Sequence, residues 1–169
     1  MEIAIRVHRK FSSPVNKARL GRIVRRTLVM EKERRDVTIY ITTDSEIRLL
    51  NRKFHATNAP TDVLSFHSRL GKVSVRGASA TKQTRTRMEN GTPKHAKVAN
   101  VSSYLGDVVI SYDRARVQAR DAHWRVADEL DLLVVHGVLH LVGYDDSSPD
   151  ARKKMWKRQQ DIFGKKEIL

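Results

Sequence analysis

The chain has 169 residues, a formal net charge of +14 and no cysteine. These values exclude a disulfide framework and a thiolate metal site, and no run approaches the roughly 18 apolar residues of a membrane span. The excess of 33 basic over 19 acidic residues predicts a polyanionic partner, with nucleic acid favoured over an acidic protein or a membrane surface. The length predicts one domain over residues 1–169, and the polar, alternating N-terminus favours a cytoplasmic location over secretion.

The first part of the chain alternates between strand-like and helix-like patterns. Residues 3–7 alternate apolar and polar side chains, which predicts a strand. A helix is expected to begin at Ser12 or Ser13, because Pro14 suits a first helical turn. The segment "DVTIYITT" then predicts a second strand, a short helix follows, and "VLSF" (residues 63–66) predicts a buried third strand.

Residues 67–104 interrupt this rhythm. They contain eight lysines and arginines against one acid, Glu89, and few apolar residues. We expect a flexible basic insertion within the single domain, in which only "KVSVR" has the alternation of a short strand.

The last part of the chain predicts one more strand and three helices. The strand is "GDVVIS" (residues 106–111), and helices are expected over residues 112–123 and from Val126 to Leu141. Ser148 followed by Pro149 predicts the start of the final helix. The element order predicts an α+β domain with a small mixed sheet of three to four strands packed with helices.

Two histidines stand four residues apart inside the apolar helix. His136 and His140 share one helical face, so both imidazoles can reach one metal ion. Gly143 can end the helix in a left-handed conformation, which brings Asp145 or Asp146 to the place of a third ligand. The alternative interpretation is an ordinary core helix that contains two hydrogen-bonded histidines.

Two neighbouring positions refine the metal hypothesis. Zinc proteases of the HExxH type carry a glutamate general base after the first histidine, and here that position is Gly137. Peptide hydrolysis is therefore disfavoured. Glu129 lies two turns before His136 and either orients a ligand or complements the positive helix N-terminus.

Three motifs stand in order along the chain: "PTDVLSF" (residues 60–66), "LGDVVIS" (residues 105–111) and "HGVLHLVGYDD" (residues 136–146). They resemble segments of the YbeY family of rRNA maturation factors, and the third motif matches the family signature HGxLHLxGYDH except at its last position. The resemblance covers nearly the whole chain apart from the basic stretch between Phe66 and Tyr104.

The resemblance implies a single-strand-specific, metal-dependent endoribonuclease with a metzincin-like metal helix. It also implies action in small-subunit rRNA maturation and ribosome quality control, with ribosomal RNA and ribosomal or small-subunit proteins as partners. The family's metal ligands correspond to His136, His140 and Asp146, the last replacing a histidine. One zinc ion is expected; the carboxylate also suits a harder ion such as manganese.

A second departure concerns the groove beside the metal. Where the family usually has an arginine, this chain has His55, which is expected to act as a catalytic acid or base or to be an ordinary surface residue. His67, which stands where the family often has proline, is a less favoured substitute metal ligand.

Four basic residues are expected to hold the RNA backbone without reading bases: Arg52, Lys53, Arg69 and Lys72. The main rival hypothesis is a ribosome-assembly protein that binds RNA and keeps its metal only as a structural element. The altered residues Asp146 and His55 keep that rival open, and a metalloprotease is a distant third.

Overall fold

The computed structural model describes residues 1–69, 72–76 and 103–164, and of Arg69 and residues 72–76 it describes only the backbone. None of the helices in these ranges is long and apolar enough to cross a membrane. The greater part of the predicted basic insertion, residues 77–102, lies outside the described residues, so its flexibility stays a prediction.

Five strands form one mixed sheet in the order β1-β2-β5-β3-β4. The strands are β1 (Ile3–Val7), β2 (Asp36–Thr42), β3 (Val63–Arg69), β4 (Lys72–Arg76) and β5 (Tyr104–Ser111). β1, β2 and β5 are parallel, whereas β3 is antiparallel to both β5 and β4. The predicted α+β class with a mixed sheet is confirmed. The sheet has one strand more than the expected three to four, because "KVSVR" pairs with β3 as an edge strand.

The helices of the described residues follow the predicted order. They are α1 (Lys17–Met30), α2 (Asp44–His55), α3 (Tyr112–Asp121), α4 (Val126–Val142) and α5 (Pro149–Phe163). α5 begins as predicted, with the Ser148 side chain accepting a hydrogen bond from the Ala151 amide. The expected start of α1 at Ser12 or Ser13 is wrong, because Asn16 caps the helix by accepting from the Arg19 amide.

The two faces of the sheet carry different helices. Alternation along β2 and β5 directs Ile39 and Val108 into the main core, where they pack with Val134 and Val138 of α4. The opposite face packs Leu64 and other apolar side chains against α2. α4 also contacts α1, α3 and α5, so the predicted metal helix is enclosed on nearly every side.

Candidate metal centre

The two predicted histidines direct the same ring atom to one point. The Nε2 atoms of His136 and His140 lie 3.1 Å apart, with the rings nearly perpendicular at 83°. His140 is buried, and burial followed by the charge of His136 lowers the pKa of its imidazole. The neutral ring that a metal requires is therefore favoured.

The end of α4 brings the third side chain to the histidines. Gly143 takes a left-handed conformation with φ of 108°, its amide donates to the His140 carbonyl, and the Tyr144 amide donates to the Leu139 carbonyl. This reversal places Asp146 Oδ2 3.8 Å from His140 Nε2. The potential ligand atoms of His136, His140 and Asp146 all lie within 4.8 Å of one another.

The hydrogen bonds of Asp145 distinguish it from Asp146, the other candidate for the third ligand. Its Oδ1 accepts from the amides of Asp146 and Ser147, and its Oδ2 accepts from the Ser147 hydroxyl at 2.6 Å. Asp145 therefore shapes the turn, and Asp146 is the carboxylate that joins the two histidines.

The donor set fits a zinc ion. Zinc bonds of about 2.0–2.1 Å in a tetrahedral shell separate neighbouring ligand atoms by roughly 3.3 Å. The histidine nitrogens are already 3.1 Å apart, whereas the Asp146 carboxylate, 3.8 Å from His140 Nε2, has to move closer to complete the shell. Two imidazoles and one carboxylate also leave a further position for water or substrate.

Both histidines are oriented by a hydrogen bond at the other ring nitrogen. His136 Nδ1 donates to Gln159 Oε1 of α5 at 3.2 Å, and His140 Nδ1 donates to the Tyr144 carbonyl at 3.1 Å. These bonds place the hydrogen on Nδ1 and leave the Nε2 lone pairs for a metal. Sequence reasoning missed Gln159, although a polar residue between Met155 and Ile162 on the apolar stripe of α5 was the available signal.

We expect Gln159→Leu to weaken metal binding by about 10- to 100-fold, because outer hydrogen bonds to ligating histidines contribute effects of this size. The fold should persist, since leucine suits this buried position. Metal affinity is measured by competition with a chromogenic chelator. Gln160→Leu, at the adjacent exposed position, is the control and should bind metal like the wild type; equal affinities for the two variants would contradict the orienting role.

The remaining predicted site residues lie apart from this cluster. Within the described residues, neither His55 nor His67 joins the three potential ligands. His55 ends α2, and its Nε2 is buried with no hydrogen-bond partner among these residues. Burial lowers the pKa of His55, which favours the neutral ring. A neutral imidazole does not clamp phosphate as an arginine does.

The predicted RNA-binding residues fall on two elements. Arg52 and Lys53 are exposed in the last turn of α2. The backbones of Arg69 and Lys72 pair with each other where β3 and β4 meet, and their side chains lie outside the described atoms. The structure thus shows the first pair accessible to a polyanion.

Packing accounts for the glycine that follows the first histidine. A Cβ at position 137 would overlap Val108 Cγ1 and lie 3.2 Å from Val63 Cγ2. The Ser65 hydroxyl also donates to the Gly137 carbonyl at 3.0 Å. This side of α4 rests on the sheet, so a glutamate general base of the HExxH kind has no room there.

Glu129 is a buried acid near the start of α4. Burial, with a smaller contribution from the charge of Asp62, raises the pKa of Glu129 to about 7, while a hydrogen bond from Trp124 opposes the shift. The suggested role of Glu129 in orienting a histidine ligand falls instead to Gln159 and the Tyr144 carbonyl.

We expect Glu129→Gln to increase the free energy of unfolding by about 2 kcal/mol near pH 8 and to change it little near pH 4. The carboxyl has a pKa of about 7 when folded against an ordinary value of 4.5, so the wild type loses stability as pH rises through this window. Urea unfolding at several pH values measures the difference. The exposed Glu2→Gln is the control, and a pH-independent difference would contradict the assignment.

Comparison with known proteins agrees with this site. A family model described as Endoribonuclease YbeY matches residues 6–167. Endoribonuclease YbeY of Chloroflexus aggregans is 36% identical over 126 residues, covering 75% of this chain and 69% of that protein. The Halalkalibacterium halodurans relative of the same name is 36% identical over 128 residues, covering 76% and 70%.

The fold also has a counterpart among solved structures. The solution structure of a Thermotoga maritima protein aligns with a TM-score of 0.53 and 23% identity, covering 96% of this chain and 89% of that one. This likeness supports the fold alone. The family model spans nearly the whole sequence and the relatives exceed 30% identity, so the chain belongs to the YbeY endoribonuclease family.

Proposed function

We propose that this chain cleaves single-stranded ribosomal RNA during small-subunit maturation, with a metal ion held by His136, His140 and Asp146. Endoribonuclease activity and a role in rRNA processing follow from family membership, as the resemblance predicted. The observation that carries the metal site is the convergence of the three potential ligand atoms within 4.8 Å.

Zinc is the proposed ion, because two imidazoles and one carboxylate form an accepted catalytic zinc shell. Manganese is the second candidate, since the carboxylate of Asp146 suits a harder cation. The bound ion would polarise a phosphate oxygen or activate a water molecule. The chain's own contribution is to hold both histidine lone pairs toward one point through Gln159 and the Tyr144 carbonyl.

His55 is the proposed catalytic acid or base. Its pKa is lowered by burial, so it carries a lone pair at neutral pH. The Nε2 atom lacks a hydrogen-bond partner within the described part of the chain, but it is buried, so it would take a proton from a substrate group only after the side chain turns outward.

Arg52, Lys53, Arg69 and Lys72 are proposed to hold the RNA backbone. The first two are exposed at the end of α2, and the net charge of +14 favours a polyanion. Ribosomal or small-subunit proteins as further partners and a cytoplasmic location complete the proposal. An assembly factor with a purely structural metal is less favoured, since the relatives are named as endoribonucleases.

Metal analysis and RNA cleavage by variants at position 146 test this function together. We expect Asp146→Ala to lower metal affinity at least about 100-fold and to lower cleavage with it, whereas Asp146→His keeps both, because histidine supplies a nitrogen ligand. His55→Gln in the same assay should bind metal normally yet lose the ionisation of the imidazole from the pH–rate profile. A native protein that holds no metal under any loading condition would overturn the proposal.

A further inference from the structure

A second cavity lies on the face of the sheet opposite α4. Its volume is about 560 Å³, within the range of sites for small molecules. Thr38 of β2 and Asp107 of β5 contribute to its lining, and Phe54 of α2 closes one side. Since the neighbouring strand residues Ile39 and Val108 pack in the core with α4, this cavity and the metal helix lie on opposite sides of the sheet.

Two aromatic rings form the apolar wall of the cavity. The ring centroids of Phe54 and Phe66 lie 5.1 Å apart at an angle of 66°, and Phe54 is 39% exposed. Lys53 Nζ lies 5.3 Å from the Phe54 centroid at the exposed end of α2. The wall therefore offers a ring for stacking with a cation beside it, which is the arrangement that holds unpaired bases in single-strand binding proteins.

The polar end of the cavity carries an oriented carboxylate. Tyr104 Oη donates to Asp107 Oδ1 at 2.7 Å and lies 2.8 Å from Thr38 Oγ1. Among the described residues, hydrogen bonding to the Asp107 carboxylate involves Oδ1, which leaves Oδ2 to a ligand. Arg6 lines the same cavity and acts electrostatically on Tyr104, so the cavity also holds a cation.

Together, these groups fit a ligand that has a planar ring, hydrogen-bond donors along one edge of that ring, and a negative charge nearby. A carboxylate only accepts hydrogen bonds, and guanine alone among the four RNA bases presents two adjacent donors, N1–H and the N2 amine, on its pairing edge. Arg6 suits the neighbouring O6 or a phosphate. We propose that this cavity binds an unpaired guanine of the single-stranded RNA substrate, with stacking on Phe54 and hydrogen bonding to Asp107.

The proposal rests on RNA being the substrate, and it adds base selection to the sequence-independent backbone binding. Binding is measured by fluorescence anisotropy with the full chain and short 2′-O-methyl oligonucleotides that differ only in one central base. We expect a central guanine to tighten binding by about tenfold over the other three bases. Asp107→Asn should reduce this preference to within about twofold, because the amide has one acceptor oxygen where the carboxylate has two.

Phe54→Ala should weaken binding of the guanine oligonucleotide by about tenfold through loss of stacking. Because Phe54 is partly exposed, this substitution should leave the protein folded. Leu49→Ala, 53% exposed on the same helix and outside the cavity lining, is the matched control and should bind like the wild type. Equal effects of these two variants, or affinity independent of the central base, would overturn the proposal.

Two further measurements distinguish a guanine in RNA from a free nucleotide, and this inference from the proposed function. Guanosine monophosphate that binds as tightly as the oligonucleotide would overturn the assignment to RNA. His136→Ala should keep the guanine preference although its cleavage is lost. A chain that prefers guanine but never cleaves RNA would contradict the proposed function alone, whereas a chain that cleaves RNA without base preference would contradict this inference alone.

Discussion

Replacing His136 by alanine is expected to lower the rate of RNA cleavage by roughly a thousandfold, because metal catalysis contributes several kcal/mol of transition-state stabilisation. His136 supplies one of two Nε2 atoms that lie 3.1 Å apart, and among the described residues no histidine besides His136 and His140 belongs to the cluster. RNA binding should persist, since it depends on Arg52, Lys53 and the overall positive charge. Cleavage of a labelled single-stranded RNA and anisotropy of the same RNA measure the two properties separately.

The stability of this variant decides between a catalytic and a structural metal. Loss of the imidazole leaves the buried Gln159 Oε1 without its donor, at a cost of about 1–3 kcal/mol. Asp146→Asn avoids this cost, because Asp146 is only partly buried. His123→Asn, at an exposed position with φ of 54° that asparagine tolerates, is the control and should cleave normally. If both site variants unfold, or if both still cleave RNA, the catalytic metal is contradicted.

Gly137→Ala is expected to lower the free energy of unfolding by about 3 kcal/mol, the upper part of the range for overpacked cores. The added methyl group would overlap Val108 Cγ1, which is fully buried between the sheet and α4. α4 would have to move away from β5, and the hydrogen bond from Ser65 to the Gly137 carbonyl would lengthen. Chemical denaturation followed by circular dichroism measures the change.

A second helical glycine provides the matched control for this prediction. Gly21 lies within α1, and a Cβ there would meet nothing within 4 Å. Gly21→Ala should therefore stabilise the protein by about 0.5–1 kcal/mol through helix propensity. If Gly137→Ala also stabilised the protein, α4 would not lie as close to β5 as the structure has it.

The local sequence pattern was sufficient to predict the parts of the metal site that lie on one continuous segment. His136 and His140 share a face because of helix geometry, and Gly143 reverses the chain because it alone adopts the left-handed conformation without strain. The choice between Asp145 and Asp146 needed coordinates, since both follow the same turn. The start of α1 was misplaced because Pro14 and Asn16 are both acceptable helix-start signals, and Asn16 makes the capping bond.

Sequence patterns could not predict contacts between side chains that come from distant segments of the chain. Gln159 meets His136 only because α5 packs along α4, and the raised pKa of Glu129 depends on burial that no spacing reveals. The cavity lined by Phe54 and Asp107 likewise combines residues of β1, β2, α2, β3 and β5. His55 was matched to the place of a groove arginine, and only the structure showed its Nε2 to be buried and its pKa lowered.

The sequence by itself determined the fold class and the two histidines of the metal cluster, because periodicity acts over a few residues. The motifs indicated the family through their resemblance to it. Tertiary structure alone decided which hydrogen bonds orient those ligands, why position 137 must be glycine, and that a second cavity faces away from the metal helix. These features depend on the distance between side chains that are far apart in the chain, and such distances exist only once helices and sheet have packed.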